Sequence, residues 1–315
     1  MTAHAVRIRW TPADMPDVRG LHFVVTGGNS GLGLVSAREL ARAGAKVTLT
    51  SRSASKGEVA LAAIGQAIGA ELAHANVTVA SLDLASLASI QEFAQSLSGS
   101  TVDCLINNAG VMAPPLARTA DGFELQFGTN HLGHFALTAR LWGSLLRSDR
   151  PRVVTLASNA HKPGKIDFTN LNAEKSYSAW GAYMQSKLAN LLFAFELERR
   201  AAARGHVAFS SVAAHPGYSA TNLSASVAPG IGGPLRSLTN RIESVIGQSA
   251  DMGALPQLYA AASIEIPGGA YVGPDGWGEW RGYPRLVTPN PIARSESLGA
   301  ELWRVSEELT HVSFL

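Results

Sequence analysis

Four glycines crowd into residues 27–33 of FVVTGGNSGLGLVSAREL (residues 23–40), directly after an apolar run and directly before a helical repeat. Residues 21–25 have the continuous apolar character of a buried strand, and Leu34, Leu40 and Ala41 recur at a spacing suited to a helix packed on a sheet. The glycines therefore occupy a strand-to-helix turn. Such a turn lets backbone approach a bound group closely and aims the free N–H groups of the helix's first turn outward, where a phosphate can accept them. The spacing Gly27, Gly31, Gly33, with Thr26 just ahead, is not the ordinary dinucleotide fingerprint. It also lacks the Lys-Ser/Thr ending of a nucleoside-triphosphate loop. A bare hinge would use the same residues, so the turn alone leaves its ligand open.

Apolar, β-rich runs alternate with helical patterns along the chain, at residues 21–26, 46–50, 77–82, 102–107, 152–157 and 207–213. This alternation implies a doubly wound parallel sheet of about seven strands with helices on both faces. We expect one domain over residues 20–315, behind an N-terminal extension over 1–19. Ligands of such sheets lie outside the carboxyl ends of the strands. Thr26, Arg52, Asp83, Asn107, Ser158 and Pro216-Gly217 all follow strands. From residue 224, SASVAPGIGGPLRS is rich in Gly, Pro and Ser, and Leu238, Ile242, Val245 and Ile246 make an apolar helical stripe behind it. A substrate-side flap is expected over about 223–250.

Composition narrows the class. A chain of 315 residues that is 46% hydrophobic can bury a large core. Its net charge of +2, without a run of Lys or Arg, gives no support for a nucleic-acid partner. The single cysteine, Cys104, rules out an internal disulfide and fits a reducing compartment. No segment approaches the roughly 20 consecutive apolar residues of a spanning helix, so a cytoplasmic protein with no integral membrane segment is expected.

Of the six tyrosines, only Tyr183 has a lysine four positions on. On a helix, Tyr183 and Lys187 share a face, and an ammonium beside a phenol favours the phenolate. His131 and His134 could also share a face, but no carboxylate or cysteine beside them completes a metal-ligand set. No metal is expected. After the second strand, LTSRSASKG (residues 49–57) carries no acid. A carboxylate there would bind the ribose hydroxyls of NAD, whereas Arg52, with Ser51 and Lys56, suits the 2′-phosphate of NADP.

NNAG at residues 107–110 and YMQSK at 183–187, together with TGGNSGLG at 26–33 and Ser158, resemble the short-chain dehydrogenase/reductase family over residues 20–275 or so. The resemblance implies a Rossmann-type fold and a tetrad of Asn130, Ser158, Tyr183 and Lys187. Tyr183 would be the general acid or base and Ser158 would hydrogen-bond the substrate oxygen. Lys187 would hold the nicotinamide ribose and lower the Tyr183 pKa. Asn130 would hold a proton-relay water. The same resemblance assigns Gly27, Asn29, Ser30, Gly31, Leu32 and Gly33 to the cofactor's pyrophosphate side. It assigns Asp83 and Leu84 to the adenine, and Asn107, Ala109 and Gly110 to the adenosine ribose. Pro216, Gly217 and Thr221 fall to the nicotinamide. With Arg52, this favours NADP(H) over NAD(H).

LINNAGVM, NHLGHFALT, SKLANLLF and the 24-residue insert between Ser158 and Tyr183 resemble the retinol dehydrogenase-like branch, which is related to protochlorophyllide reductases. A lipophilic ketone, aldehyde or alcohol is the substrate this implies, in a monomer or homodimer. The absence of an apolar anchor in the opening residues weighs against retinol itself. Met112, Tyr177, Trp180 and Leu223 are the candidate apolar walls. Two other functions remain open to such a chain: a dinucleotide-binding sensor or scaffold without catalysis, and a reductase of ring double bonds.

Overall fold

Eight strands make one sheet in the computed structural model, which describes residues 9–218 and 248–315. They are β1 His22–Val25, β2 Lys46–Ser51, β3 Val77–Ser81, β4 Cys104–Asn107, β5 Arg152–Leu156, β6 Ser210–Ala214, β7 Tyr271–Pro274 and β8 Pro284–Leu286. The helices among the described residues are α1 Gly31–Arg42, α2 Ala54–Ile68, α3 Ala70–Asn76, α4 Leu87–Ser96, α5 Leu125–Phe127, α6 Gly133–Leu145, α7 Ala179–Ala203, α8 Ala250–Ala262 and α9 Glu296–Thr310. The sheet order is β3-β2-β1-β4-β5-β6-β7-β8. Neighbours are parallel except β7 and β8, which run antiparallel.

The expected doubly wound sheet is present, with eight strands where about seven were expected. The addition at the edge, β8, is only Pro-Arg-Leu with two of three residues exposed, so no apolar run announces it. The sixth strand begins at Ser210 rather than at residue 207, because Val207 sits in a turn and is 89% exposed.

Successive strand residues face opposite sides of the sheet, so adjacent valines build separate cores. Val25 packs with Leu40 of α1, Leu49 of β2 and Leu258 of α8. Val24 packs with Leu105, Phe135 and Leu141, and with Phe193 and Trp303 from α7 and α9. The expected N-terminal extension contributes to the first layer through buried Trp10 and Val18, with the Trp10 ring 5.2 Å from that of Tyr259.

Strand order reverses between β1 and β4, and their carboxyl ends open a crevice at that switch point. Residues 219–247 lie outside the described residues, and with them Thr221, Leu223 and nearly all of the expected flap. Among the described residues no helix is long and apolar enough to cross a membrane.

Candidate active site

The glycine turn folds against the loop that follows β4. Gly27 has φ +63°, in the left-handed region that side chains rarely adopt. A Cβ on Gly33 would lie 2.5 Å from Asn108 Nδ2 and 2.6 Å from the Gly27 carbonyl oxygen. Only glycine allows this approach. Thr26 holds the two segments together: its hydroxyl oxygen accepts the Asn108 and Ala109 N–H groups at 2.9 and 3.0 Å. Asn108 Nδ2 returns a bond of 2.7 Å to the Thr26 carbonyl.

Above this turn lies a cavity of about 700 Å³. Gly27, Asn29, Ser30, Gly31 and Leu32 line it at the N-terminus of α1. Its far end is formed by Ser158, Tyr183 and Lys187. Ser158 follows β5 and caps the short turn Asn159–His161, accepting the Ala160 N–H at 3.2 Å. Tyr183 and Lys187 stand one turn apart on α7, and the Lys187 Nζ lies 5.7 Å from the centre of the Tyr183 ring. Both are 5% exposed. Lys187 Nζ also donates to the Leu156 carbonyl at 3.3 Å.

Burial sets the charges here. It pushes the Tyr183 phenol up to about 12, and a hydrogen bond with Ser158 opposes it. It pulls the Lys187 ammonium down to about 8. Desolvation is the larger effect on both groups, raising the phenol and lowering the ammonium, because each is almost entirely withdrawn from water.

A short chain dehydrogenase profile matches residues 22–231, two thirds of the sequence. The chain belongs to the short chain dehydrogenase family. Mouse retinol dehydrogenase 14 is 37% identical over 305 residues, covering 94% of this chain and 87% of that protein. Human retinol dehydrogenase 13 is 39% identical, covering 93% and 85%, and mouse polyprenol dehydrogenase is 36% identical, covering 95% and 86%. A crystal structure of a putative uncharacterized protein from Mycobacterium paratuberculosis superposes with TM-score 0.79 at 44% identity, covering 97% of this chain and 99% of that one. The chain is thus a short chain dehydrogenase of the retinol dehydrogenase-like branch, an oxidoreductase acting on CH–OH and C=O groups with NAD(P).

The remaining expected residues of this dehydrogenase divide into three groups. Arg52, Asp83, Leu84, Ala109, Gly110, Pro216 and Gly217 line the cavity, as do the apolar candidates Met112 and Trp180. Asn107, Asn130, Gly33 and Tyr177 do not. Asn107 is fully buried and donates to Thr138 Oγ1 at 3.2 Å, so its neighbour Asn108 takes the place on the wall. Asn130 sits just behind the wall on a five-residue π-turn, Gly128–Leu132. Its Oδ1 accepts the Val111 N–H at 2.8 Å, while its Nδ2 donates to the Val111 carbonyl and to Ser186 Oγ, each at 3.0 Å. The Tyr177 hydroxyl donates to the Pro114 carbonyl at 2.6 Å. Thr221 and Leu223 are outside the described residues.

The wall also holds Asn108, from within the NNAG stretch, together with Tyr218 and Trp280, none of which was singled out individually from sequence. The Tyr218 N–H donates to the Trp280 carbonyl at 2.7 Å, joining the loop after β6 to the loop after β7. Asn108 was within reach of sequence, because strand alternation sends one of two adjacent asparagines into the sheet and the other out. Trp280 follows a strand that the sequence did not mark.

The cradle fits a dinucleotide. Glycines at 27 and 33 let the turn close against the loop after β4 without a Cβ between them, backbone N–H groups open toward the cavity at the start of α1, and Arg52 directly follows β2. Two histidines on α6 and its π-turn face elsewhere: His131 bonds Ser306 Oγ at 2.8 Å and His134 bonds Thr26 Oγ1 at 2.9 Å.

Proposed function

We propose that this dehydrogenase interconverts a lipophilic ketone or aldehyde and its alcohol with NADP(H), using Tyr183 as the general acid and base. One observation carries the reading: a single cavity joins a glycine cradle and Arg52 at one end to Tyr183, Ser158 and Lys187 at the other. Relatives named for retinol and polyprenol, together with Met112, Val111 and Trp180 on the wall, support a lipophilic substrate.

A dinucleotide held in this cavity would supply hydride for the carbonyl carbon. Tyr183, a phenol protonated at neutral pH and pushed further up, to about 12, by burial, gives its proton to the carbonyl oxygen. Ser158 donates a hydrogen bond to that oxygen as charge builds on it. Lys187, at about 8, still carries most of its charge at pH 7 and steadies the phenolate that Tyr183 leaves. It also holds the nicotinamide ribose. Asn130 braces the wall through Val111 and holds the relay water that returns a proton. Leu32, Asn29, Ser30 and Gly31 receive the pyrophosphate. Asp83 and Leu84 would flank the adenine, Ala109 and Gly110 would support the adenosine ribose, and Pro216 and Gly217 would meet the nicotinamide, the role the family resemblance also gives Thr221, which lies outside the described residues.

Consumption of NADPH with a panel of aldehydes and ketones tests the reaction. Tyr183→Phe should keep NADPH affinity and lose turnover by about 100-fold or more, the scale of one general acid. Near-wild-type turnover in that variant would remove Tyr183 from the chemistry. A wild-type protein that binds NADPH and turns over none of the panel would be a dinucleotide sensor.

A further inference from the structure

His134 is fully buried on the first turn of α6 and does not line the cavity, yet its ring touches both ends of the site's framework. Its Nδ1 lies 2.9 Å from the Asn130 carbonyl oxygen, which can only accept, so Nδ1 carries the proton. Its Nε2 lies 2.9 Å from Thr26 Oγ1. Counting around that hydroxyl closes the network. The Asn108 and Ala109 N–H groups occupy the two lone pairs of the Thr26 oxygen, which leaves it one proton to give. His134 Nε2 takes that proton at 2.9 Å in preference to the Ile106 carbonyl at 3.3 Å. A second ring proton would have no acceptor. Burial agrees, holding the imidazole neutral by pulling it down to about 4.

We propose that His134 is a positioning residue which, as the Nδ1–H tautomer, couples the cofactor cradle through Thr26 to the catalytic end through the Asn130 carbonyl. On one side, the Thr26 hydroxyl pins Asn108 and Ala109. A Cβ on Gly27 would come within 2.9 Å of Ala109 Cβ, so release of residues 108–110 shifts them against the glycine turn. On the other side, the Asn130 amide clasps Val111. Asn130 Oδ1 and Lys187 Nζ both crowd Gly110, at 3.1 and 3.5 Å from the position a Cβ would take there. Loss of the Asn130 contact therefore disturbs the end that holds Lys187. The two halves of one ring serve two different parts of the reaction, on the functional reading given above.

Two surrogates separate them. His134→Gln reaches the Nε2 position and can still accept from Thr26, but it loses the donor to Asn130. Its NADPH affinity should stay within about twofold while kcat falls about fivefold or more, the loss of one buried hydrogen bond. His134→Asn keeps a donor at the Nδ1 position and loses the acceptor for Thr26. Its NADPH dissociation constant should rise about fivefold or more, while kcat at saturating cofactor falls less than about twofold. Parallel loss of affinity and kcat in both variants, together with lowered Tm, would mean that His134 only fills the core. No change in either variant would overturn the coupling as well. NMR of the wild-type protein with 15N-labelled histidine needs no variant to fold: a protonated Nδ1 supports the network, and a protonated Nε2 overturns it. Failure of the wild-type protein to bind NADPH or to reduce any carbonyl would instead sink the functional reading, and the tautomer would still decide the network.

Discussion

Lys187 gives up stability so that the site can hold a charge. Its ammonium, drawn from 10.5 down to about 8 by burial, costs on the order of 3 kcal/mol at neutral pH, at 1.36 kcal/mol per unit of pKa. Between about pH 8 and 10.5 the unfolded chain binds more protons at this residue than the folded one, so its contribution to stability rises with pH there. Lys187→Met should therefore raise the unfolding free energy of the cofactor-free protein at pH 7 by a few kcal/mol and abolish turnover. The gain should fade as pH approaches 10.5. The Leu156 carbonyl keeps a donor in that variant, because Asn190 Nδ2 also bonds it at 2.9 Å. Denaturant titrations at pH 7 and pH 10 check this, and a variant less stable at pH 7 would contradict the buried-charge account. A second residue-scale prediction concerns Arg52, which is exposed on the cavity wall. On the proposed NADP(H) reading, Arg52→Asp would replace a charge-assisted bond to the 2′-phosphate with repulsion, so the ratio of kcat/KM for NADPH over NADH should fall at least severalfold. An unmoved ratio would transfer the preference to Ser30 or Lys56. The sequence showed the one-turn spacing of Tyr183 and Lys187 and the missing acid near Arg52. It could not show that both partners of the pair lose their water, because desolvation comes from helix α7 meeting strand β5, a tertiary event.

Elements were legible where composition and burial agree. Strands β1 to β6 are apolar runs entering a sheet covered on both faces, and the polar and glycine residues that follow them in sequence make up most of the cavity wall. Strands β7 and β8 read poorly because Gly273, Pro274 and Pro284 occupy them, and the antiparallel pair needs neither a long nor an apolar run. The glycine turn was legible as a cradle, and its reason is steric. Gly33→Ala places a methyl 2.5 Å from Asn108 Nδ2 and 2.6 Å from the Gly27 carbonyl, so the turn and the loop after β4 must part. We expect a loss of about 1–3 kcal/mol in stability and a matching loss of cofactor affinity. Gly143→Ala is the control. Its Cβ meets nothing within 4 Å at an exposed position of helix α6, so it should stabilise by about 0.5–1 kcal/mol and leave NADPH binding alone. Equal affinity in the two variants would show that the close approach at Gly33 has no bearing on the cofactor.

The cavity draws its wall from the whole length of the chain, from Gly27 after β1 to Trp280 after β7. Sequence motifs named pieces of it separately. What they could not supply was the join between Tyr218 and Trp280, which brings two distant loops together on the cavity wall. A ligand that spans such a wall ties together the ends of β1 to β6 and the loop after β7, and it binds only when all of them are folded. Linkage then gives the size of the effect: at a hundred times its dissociation constant, NADPH adds about 2.7 kcal/mol to the unfolding free energy. For a chain somewhat above the size at which 1 kcal/mol shifts Tm by about 2–4 °C, that is a rise of roughly 5 °C. NADH at the same concentration should give a smaller rise, and the difference between the two should shrink in Arg52→Asp. Amide hydrogen exchange locates the effect. Protection on NADPH binding should appear together at residues 27–32, 108–112 and 216–218, which are far apart in sequence and share one cavity. A rise in Tm with protection confined to residues 27–32 would mean that the cofactor grips only the glycine turn, and that the catalytic end is assembled by substrate instead.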